Sequence, residues 1–375
     1  MIITLSFVNG FQETVSNKVF SFLGHIRIQY RQPMRASIAE EIPIEKNDKL
    51  FQTVRRMPDV SSVHSFGTKS MFIKAGEEID GLLLKGFEDS SAFIHLNGFL
   101  QKGGRWVNFN DSSYARELVL SQHTANVLQL KVNDRPFIYF LRPDGSLRPD
   151  RVTIVGIYKT GIGEYDKAFA LGDIKLIRQL NGWNEKKIGG YEIFLKDYRQ
   201  MGNTSAAIYD GENFPSLWET KTATEINPSI FDWLKIVSYN GIILIVIVTV
   251  IVVINFITCL IILVLERVRM IGILKAIGTS DWSIQKIFLY HSALITLTGI
   301  LLGTIISVLF LWVQMKTGFV KLKEAEYYMD TAAVRIDPVQ VLSVIAGTLL
   351  ISIIVLIIPS LLVRKIQPIK AIRFH

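Results

Sequence analysis

Three long stretches without a formal charge constrain this chain more than any other feature of its sequence. They run over residues 241–265, 287–315 and 339–363, and none contains Asp, Glu, Lys or Arg. Each is long enough to cross a hydrocarbon layer of about 30 Å as a helix. Because backbone groups inside lipid need hydrogen bonds within their own segment, we expect helices and not open strands. We therefore predict membrane spans at 241–265, 292–313 and 339–363.

The sequence before residue 240 has a different character. Residues 24–239 carry mixed charge and no long apolar run, and they are numerous enough to bury a core of their own. The one cysteine, Cys259, lies in a predicted span, so this block has no disulfide framework. Local patterns predict an α/β fold. The predicted strands are 25–30, 70–74, 81–87, 135–141, 151–158 and 191–195, and the predicted helices are 114–130, 173–180 and 227–238.

The basic residues predict the orientation in the membrane. The net charge is +8, but lysines and arginines do not form one patch interleaved with aromatic residues, which argues against a nucleic-acid partner. Eight of them lie in the 266–291 segment and in the tail after residue 363, against four in the 316–338 loop. Basic loops stay in the cytoplasm, so we predict the 266–291 segment inside and the 24–239 block outside.

The first residues, MIITLSFV, leave two interpretations open. They are apolar but too short to cross a membrane, and they lack the features of a signal peptide. They are either a short interfacial anchor or, as we prefer, the end of a truncated first span whose helix extends over 1–23. The predicted fold class is therefore an α-helical membrane domain with three complete spans plus a truncated first span. A large extracytoplasmic α/β domain is inserted between spans one and two.

No catalytic, cofactor or metal site is predicted in the 24–239 block. Its histidines stand apart in sequence, without partners at metal-ligand or nucleophile spacing: His25, His64, His95 and His123. The run Gly67–Ser70 lacks the glycines and the Gly-Lys pair of a phosphate loop. The turn 161–166 lacks a third glycine opening a helix, which argues against a dinucleotide site. Its acidic residues could bind a cation, but a solvated loop is favoured. The absence of charged residues inside the spans argues against an ion pathway.

A charged segment lies between two spans at residues 266–288. Together with Leu265 before it, its sequence is LERVRMIGILKAIGTSDWSIQKIF. Gly278 should end one helix, and Thr279 or Ser280 should cap a short second helix. That second helix should present Trp282 and Ile284. An exposed apolar surface with basic edges favours docking to another protein, and an amphipathic helix resting on lipid headgroups is the alternative.

Two features inside the spans predict helix packing. Asn255 carries a buried amide, which prefers a partner on another helix. Gly299 and Gly303 form a small-xxx-small pattern that allows close backbone approach. The neighbouring threonines can instead bond their own backbone.

The segment ERVRMIGILKAIGTSDWSIQKIFLYHSALITLTGILLG resembles the signature of the FtsX-like permease domain of ABC transporters. The end of the chain resembles that domain too, through Pro359, Pro368, Ala371, Ile372 and Arg373. The stretches SFVNGFQETVSNKVFSFLGHIRI, LLLKGFE and VGIYKTGIGEYDKAFA are similar to the lipoprotein-releasing, Lol-type branch. The resemblance covers nearly the whole chain, with residues 240–375 as the permease domain and 24–239 as the periplasmic domain.

The resemblance implies a non-catalytic, multi-pass subunit of the bacterial inner membrane. It would work with cytoplasmic ABC ATPase subunits that bind ATP and magnesium, and with a second permease, either a copy or a paralogue. It would release lipoproteins from the membrane lipid to a periplasmic carrier by mechanotransmission. The residues implied in ATPase coupling are Glu266, Arg269, Ile271, Gly272, Lys275 and Gly278, followed by Ser280, Asp281, Trp282, Ile284 and Lys286.

Two alternatives remain open at this stage. One is an FtsX-like efflux or cell-wall-hydrolase-regulating permease, in which the outer domain binds a different partner. The other is a membrane-anchored scaffold without transport.

Overall fold

The computed structural model describes residues 1–32, 40–109, 114–141 and 146–365. The carboxy-terminal residues of the resemblance, Pro368 and Ala371 to Arg373, lie outside this part of the chain. The chain divides into two compact units. The helical unit consists of Met1–Thr14, Trp233–Leu322 and the chain from Thr331 onward; the α/β unit consists of Val15–Asp232 and Lys323–Asp330.

Twelve α-helices are present among the described residues. They are α1 Ile2–Leu23, α2 Asp48–Arg55, α3 Gln122–Val127, α4 Gly163–Ala168, α5 Ile174–Asn181, α6 Met201–Tyr209, α7 Ala223–Ile226, α8 Pro228–Glu266, α9 Val268–Ala276, α10 Asp281–Thr317, α11 Glu324–Tyr327 and α12 Pro338–Lys365. Short 3-10 helices span Ser90–Phe99 and Tyr198–Gln200.

Three helices of the described chain, α8, α10 and α12, are long and apolar enough to cross a membrane. Each predicted span lies inside one of them. Leu260 of α8 and Val355 of α12 are buried together, with Leu289 of α10 packed against them. The threonines of α8 bond their own backbone, as expected, with Thr249 Oγ1 donating to the Ile245 carbonyl at 2.7 Å. The prediction of a separate short helix after Gly278 is wrong, because α10 continues without a break from Asp281 to Thr317.

The α/β unit is built on a mixed sheet. Its strands are β1 Ile26–Tyr30, β3 Val60–Ala75, β4 Glu78–Phe87, β5 Glu117–Ser121, β6 Phe137–Leu141, β7 Leu147–Arg151, β8 Thr153–Tyr158, β9 Phe169–Asp173, β11 Gly190–Leu195 and β12 Trp218–Thr222, with β2 Ile44–Glu45 and β10 Lys187–Ile188 pairing separately. The strand order is β12-β1-β11-β3-β4-β9-β5-β8, and β6 pairs with both β3 and β7. The pairs β4–β9 and β5–β8 are parallel.

Every strand predicted from the sequence overlaps an observed strand, but one predicted helix is wrong. Residues 114–130 were expected to be helical, and they instead form β5 followed by the short α3. Leu118, Val119 and Leu120 are all fully buried. A strand that is covered on both faces shows no alternation of apolar and polar residues, so its sequence does not distinguish it from a buried helix.

Three charged side chains lie in contact with one another in the interior of the sheet. Glu192 on β11 accepts hydrogen bonds from Arg27 Nε on β1 at 3.0 Å and from Lys85 Nζ on β4 at 2.8 Å. Lys85 Nζ also donates to the Phe22 carbonyl and lies over the Phe22 ring. Burial lowers the pKa of Lys85 to about 8, whereas Lys85 and Arg27 hold the pKa of Glu192 below its usual value despite its burial. The three groups therefore depend on one another for charge compensation.

Candidate functional site

The segment between α8 and α10 forms a braced helical hairpin. Helix α9 ends in a Schellman motif: Gly278 has a φ of +95°, Thr279 N–H donates to the Leu274 carbonyl at 3.0 Å, and Gly278 N–H donates to that of Lys275 at 3.1 Å. A residue with a side chain is strained in this left-handed conformation, which explains the glycine. Ser280 then caps α10, its hydroxyl accepting from Ser283 N–H at 3.3 Å.

A small apolar core holds the hairpin together. Val264 of α8, Ile271 of α9 and Ile284 of α10 are buried against one another. Gly272, beside Ile271, is buried as well. The expectation that Ile284 is presented to a partner is therefore wrong: it lies on the inner face of α10, where it is fully buried.

An ion pair bridges the turn. Lys275 Nζ lies 2.9 Å from Asp281 Oδ1, and the Lys275 side chain is mostly buried whereas that of Asp281 is about half exposed. Asp281 also lies in the first turn of α10, where a carboxylate is favoured by the helix dipole. These two predicted coupling residues therefore fix the geometry of the turn.

The outer surface of the hairpin is apolar and exposed. Ile277 is 76% and Trp282 is 56% exposed, and Met270 and Ile273 are exposed beside them. Lys286 Nζ lies 5.6 Å from the centre of the Trp282 ring, in cation–π geometry. The remaining predicted residues are exposed: Glu266, Arg269, Gly278 and Ser280. We call Met270, Ile273, Ile277 and Trp282 the coupling surface; of these four residues, only Trp282 was among the predicted coupling residues.

The residues predicted to mediate helix packing do not pack inside this chain. The Asn255 side chain is exposed. A Cβ atom added to Gly299 or Gly303 would meet nothing within 4 Å. Gly299 borders a largely apolar cavity of about 380 Å³ between α8, α10 and α12. The small-residue face of α10 is thus open within the single chain.

Two of the histidines of the α/β unit, His64 and His95, lie together, contrary to the expectation that all four are isolated. His64 Nε2 and His95 Nε2 lie 3.0 Å and 2.9 Å from the Ser62 hydroxyl, and His95 stacks on Phe194 at 3.6 Å. Burial lowers the pKa of His95 to about 4, so this ring is neutral at neutral pH, and burial also lowers the pKa of His64. No group of three or more metal-ligating side chains occurs among the described residues. The sequence could not show this cluster because its members are far apart along the chain.

The turn at 161–166 also differs from the solvated loop that was expected. Asp166 is buried and accepts hydrogen bonds from Thr160 N–H and Gly161 N–H, both at 3.0 Å. Residues 163–168 form α4. The carboxylate is therefore used to hold the turn.

The comparison with known families identifies the class of protein. Residues 242–368 match the family described as FtsX-like permease C-terminal. The part of the chain that contains most of α8, the hairpin, α10 and α12 is thus similar to FtsX-like permease domains, and its three long helices are apolar enough to span a membrane.

Full-length relatives are more specific. The chain is 22% identical over 391 residues to the lipoprotein-releasing system transmembrane protein LolC of Neisseria meningitidis, covering 100% of this chain and 91% of the relative. It is 20% identical over 394 residues to LolE of Haemophilus influenzae, with the same coverage. Among solved structures, the periplasmic region of MacB from Actinobacillus actinomycetemcomitans matches at 12% identity with a TM-score of 0.36, covering 55% of this chain and 91% of that one. That TM-score is too low to extend the description of the fold.

Proposed function

We propose that this chain is a permease subunit of an ATP-driven transporter that releases lipoproteins from the inner membrane to a periplasmic carrier. The observation that carries the proposal is the coupling surface, an exposed apolar patch held on a rigid hairpin at the end of a membrane helix. Its position inside the FtsX-like domain and the full-length similarity to LolC and LolE support it. The α/β unit would lie in the periplasm, and the hairpin in the cytoplasm.

The partner of the coupling surface would be a separate ABC ATPase, which binds the ATP and magnesium. Ile277 and Trp282 are exposed to water in the single chain, so burying them in a partner is favourable by about 25 cal/mol per Å² of apolar area. Arg269 and Lys286 supply a basic rim that disfavours wrong partners. The Schellman turn and the Lys275–Asp281 pair keep the hairpin from yielding when the ATPase moves.

The substrate explains why such a motor is needed. Drawing an acyl chain out of a bilayer costs about 0.8 kcal/mol per methylene, so a lipoprotein with three chains costs tens of kcal/mol. Binding alone does not supply this free energy. ATP-driven movement of the permease, together with an apolar carrier, would supply it. The apolar cavity beside Gly299 is suited to acyl chains, and the open face of α10 is suited to a second permease.

The test replaces Ile277 by Asp. A buried isoleucine contributes about 1.5–3 kcal/mol, and an unpaired carboxylate in an apolar interface adds to the loss, so ATPase binding should weaken at least 30-fold. The control is Ile94→Asp, the same change at an isoleucine of the α/β unit that is 65% exposed. Co-purification from mild detergent and ATPase activity measure binding, and transfer of a labelled lipoprotein from proteoliposomes to carrier measures release.

Three outcomes would contradict the proposal. If no ABC ATPase co-purifies with the unaltered chain, transport fails and a scaffold is favoured. If Ile277→Asp binds normally, the coupling surface is not the ATPase site. If an ATPase binds but no lipoprotein is released, an efflux or hydrolase-regulating permease is favoured.

A further inference from the structure

The loop between α10 and α12 contributes a segment to the α/β unit. Residues Lys323–Asp330 belong to that unit, although the chain on either side of them, up to Leu322 and from Thr331, belongs to the helical unit. The segment is therefore covalently continuous at one end with the chain that follows α10 and at the other end with the chain that leads to α12. We call Lys323–Asp330 the strap.

The strap makes polar contacts with two lysines of the α/β unit. Lys159 Nζ lies 2.6 Å from Glu324 Oε2, and Lys18 Nζ donates to the Tyr328 carbonyl at 2.6 Å. Tyr328 has a φ of +56° and closes α11, its N–H donating to the Glu324 carbonyl at 2.8 Å. Met329 of the strap is buried as well. The strap is thus held by an ion pair and a charged hydrogen bond.

The surface that receives the strap is fixed independently of it. Asp166, in α4, accepts hydrogen bonds from the N–H groups of Thr160 and Gly161 and so fixes the turn that precedes this helix. Gly161 has a φ of +77° and faces the strap directly. A Cβ atom at this position would lie 2.7 Å from Lys18 Nζ, 2.8 Å from Glu324 Oε1 and 3.1 Å from the Tyr328 carbonyl oxygen. An alanine at Gly161 would therefore displace the ends of the Lys18 and Glu324 side chains, which make the polar contacts of the strap, and would crowd the Tyr328 carbonyl.

The base of the strap is fixed to α10. Gln314, a buried side chain near the end of that helix, accepts a hydrogen bond from Val320 N–H at 2.9 Å and donates to the Ala332 carbonyl at 3.0 Å. Ala332 N–H donates to the Val320 carbonyl at 2.9 Å. Lys321 and Thr331 form a further antiparallel bridge. The residues before and after the strap are therefore joined to each other and to α10 by one closed ring of hydrogen bonds.

From these contacts we infer that the strap is a further mechanical link between the spans and the α/β unit, seated on the Gly161 turn and releasable from it. Helices α1 and α8 are continuous links, since each runs without a break from one unit into the other. Through the strap, displacement of α10 also reaches the α/β unit. The inference rests on the proposed function for its role in transport, whereas the seating of the strap does not depend on that function.

Partial exposure makes the seat reversible. The Lys159 and Glu324 side chains are 40% and 31% exposed, and such a pair is weak and screened by salt. Burial lowers the pKa of Lys18, and Glu324 and Asp330 counteract that effect. Asp166, which lies outside the strap, counteracts it as well, so release of the strap leaves Lys18 with a compensating carboxylate.

The test compares substitutions at three glycines. Gly161→Ala introduces both backbone strain and a clash with the strap. Gly76→Ala introduces similar strain, at a φ of +62°, where a Cβ meets nothing within 4 Å. Gly163→Ala introduces neither. Only the first should unseat the strap.

Seating is measured by cross-linking in native membranes. In a Cys259→Ser background, cysteines at Asn126 and Ala325 face one cavity of about 320 Å³, which a short bifunctional thiol reagent can bridge. We expect efficient cross-linking in this background and with Gly76→Ala or Gly163→Ala, and at least a fivefold loss with Gly161→Ala. Hydrogen exchange of β8 and β9 should stay protected in all of them. Glu324→Lys, which reverses the ion pair without touching the turn, should also reduce cross-linking.

Each result decides something. The inference that the strap is seated on the Gly161 turn is overturned by either of two results. One is equal cross-linking in Gly161→Ala and Gly76→Ala, and the other is no cross-linking in the chain that keeps all three glycines. If Gly161→Ala loses exchange protection in β8 and β9, the substitution has disturbed the fold, and Glu324→Lys becomes the test of seating. Unchanged cross-linking in Glu324→Lys would then overturn the inference that the strap is seated on the Gly161 turn. If an ATPase binds and lipoprotein release stays normal when the strap is unseated, the mechanical link is overturned while the proposed function stands. If no ATPase binds at all, the proposed function fails, and the cross-linking result still tests the seat.

Discussion

Replacing Glu192 by Gln should destabilise the α/β unit more than any other single change of charge described above. Glu192 is the acceptor that Arg27 and Lys85 share, and the three side chains are 5% exposed or less. Glutamine keeps the size of the side chain but removes its charge. Two cations then remain buried without their counter-charge.

The magnitude follows from what each cation can do. Lys85, whose pKa burial has already lowered to about 8, can lose its proton near neutral pH once Glu192 is gone. Arg27 cannot lose its charge. One uncompensated buried charge costs about 3–5 kcal/mol, which corresponds to roughly two to four orders of magnitude in the opening equilibrium.

The assay is hydrogen exchange of the full-length chain in detergent, followed in peptides from β1 and β11. Exchange through opening should accelerate by the same two to four orders of magnitude. The control is Glu219→Gln on β12, whose partner Lys221 is about one third exposed; that pair should be worth about 1 kcal/mol or less. Replacing Arg27, Lys85 and Glu192 together by apolar residues of similar volume should recover most of the loss. Less than tenfold acceleration in Glu192→Gln, or a triple variant as unstable as the single one, would refute the reasoning.

Two further predictions concern protonation and packing. Burial lowers the pKa of His25 from 6.5 to about 4, so between these pH values the unfolded chain binds the extra proton and stability falls as the pH falls. His25→Gln should reduce this acid loss by about 3 kcal/mol at pH 4, as measured by thermal unfolding across pH. His123→Gln, at an exposed site, should not reduce it. Gly299→Leu should leave the single chain folded, since nothing lies within 4 Å of a Cβ atom built at this position, but it should weaken association with the second permease about tenfold in pull-down from mild detergent. Gly347→Leu, on α12, where a Cβ atom also meets nothing within 4 Å, should not weaken it. Equal effects of the two substitutions would argue against the α10 face as the contact surface.

The features that the sequence predicts well are those determined by residues that are neighbours along the chain. The apolar runs lie within α8, α10 and α12, and Gly278 and Ser280 end and start helices as their residue types indicate. In each case the physical cause lies within a few residues: a hydrophobic length, a positive φ, or a hydroxyl that caps free N–H groups.

The features that the sequence does not predict depend on contacts between distant residues. Ile284 looks like a surface residue until Val264 and Ile271 cover it. The shared bonds of His64 and His95 to Ser62 arise only when β3 and the 3-10 helix meet. Likewise, the seat of Glu324 lies more than 150 residues earlier in the chain, at Lys159. Local periodicity contains no information on such pairs.

The unbroken course of α10 has a mechanical consequence. At 1.5 Å per residue, its 37 residues form a rod of about 55 Å, with the Ser280 cap at one end and the Gln314 ring at the other. No proline or π-type irregularity interrupts it to act as a joint. We therefore expect a push at Trp282 to arrive at Gln314 mainly as a translation or tilt of the rod, because the helix is continuous between these residues.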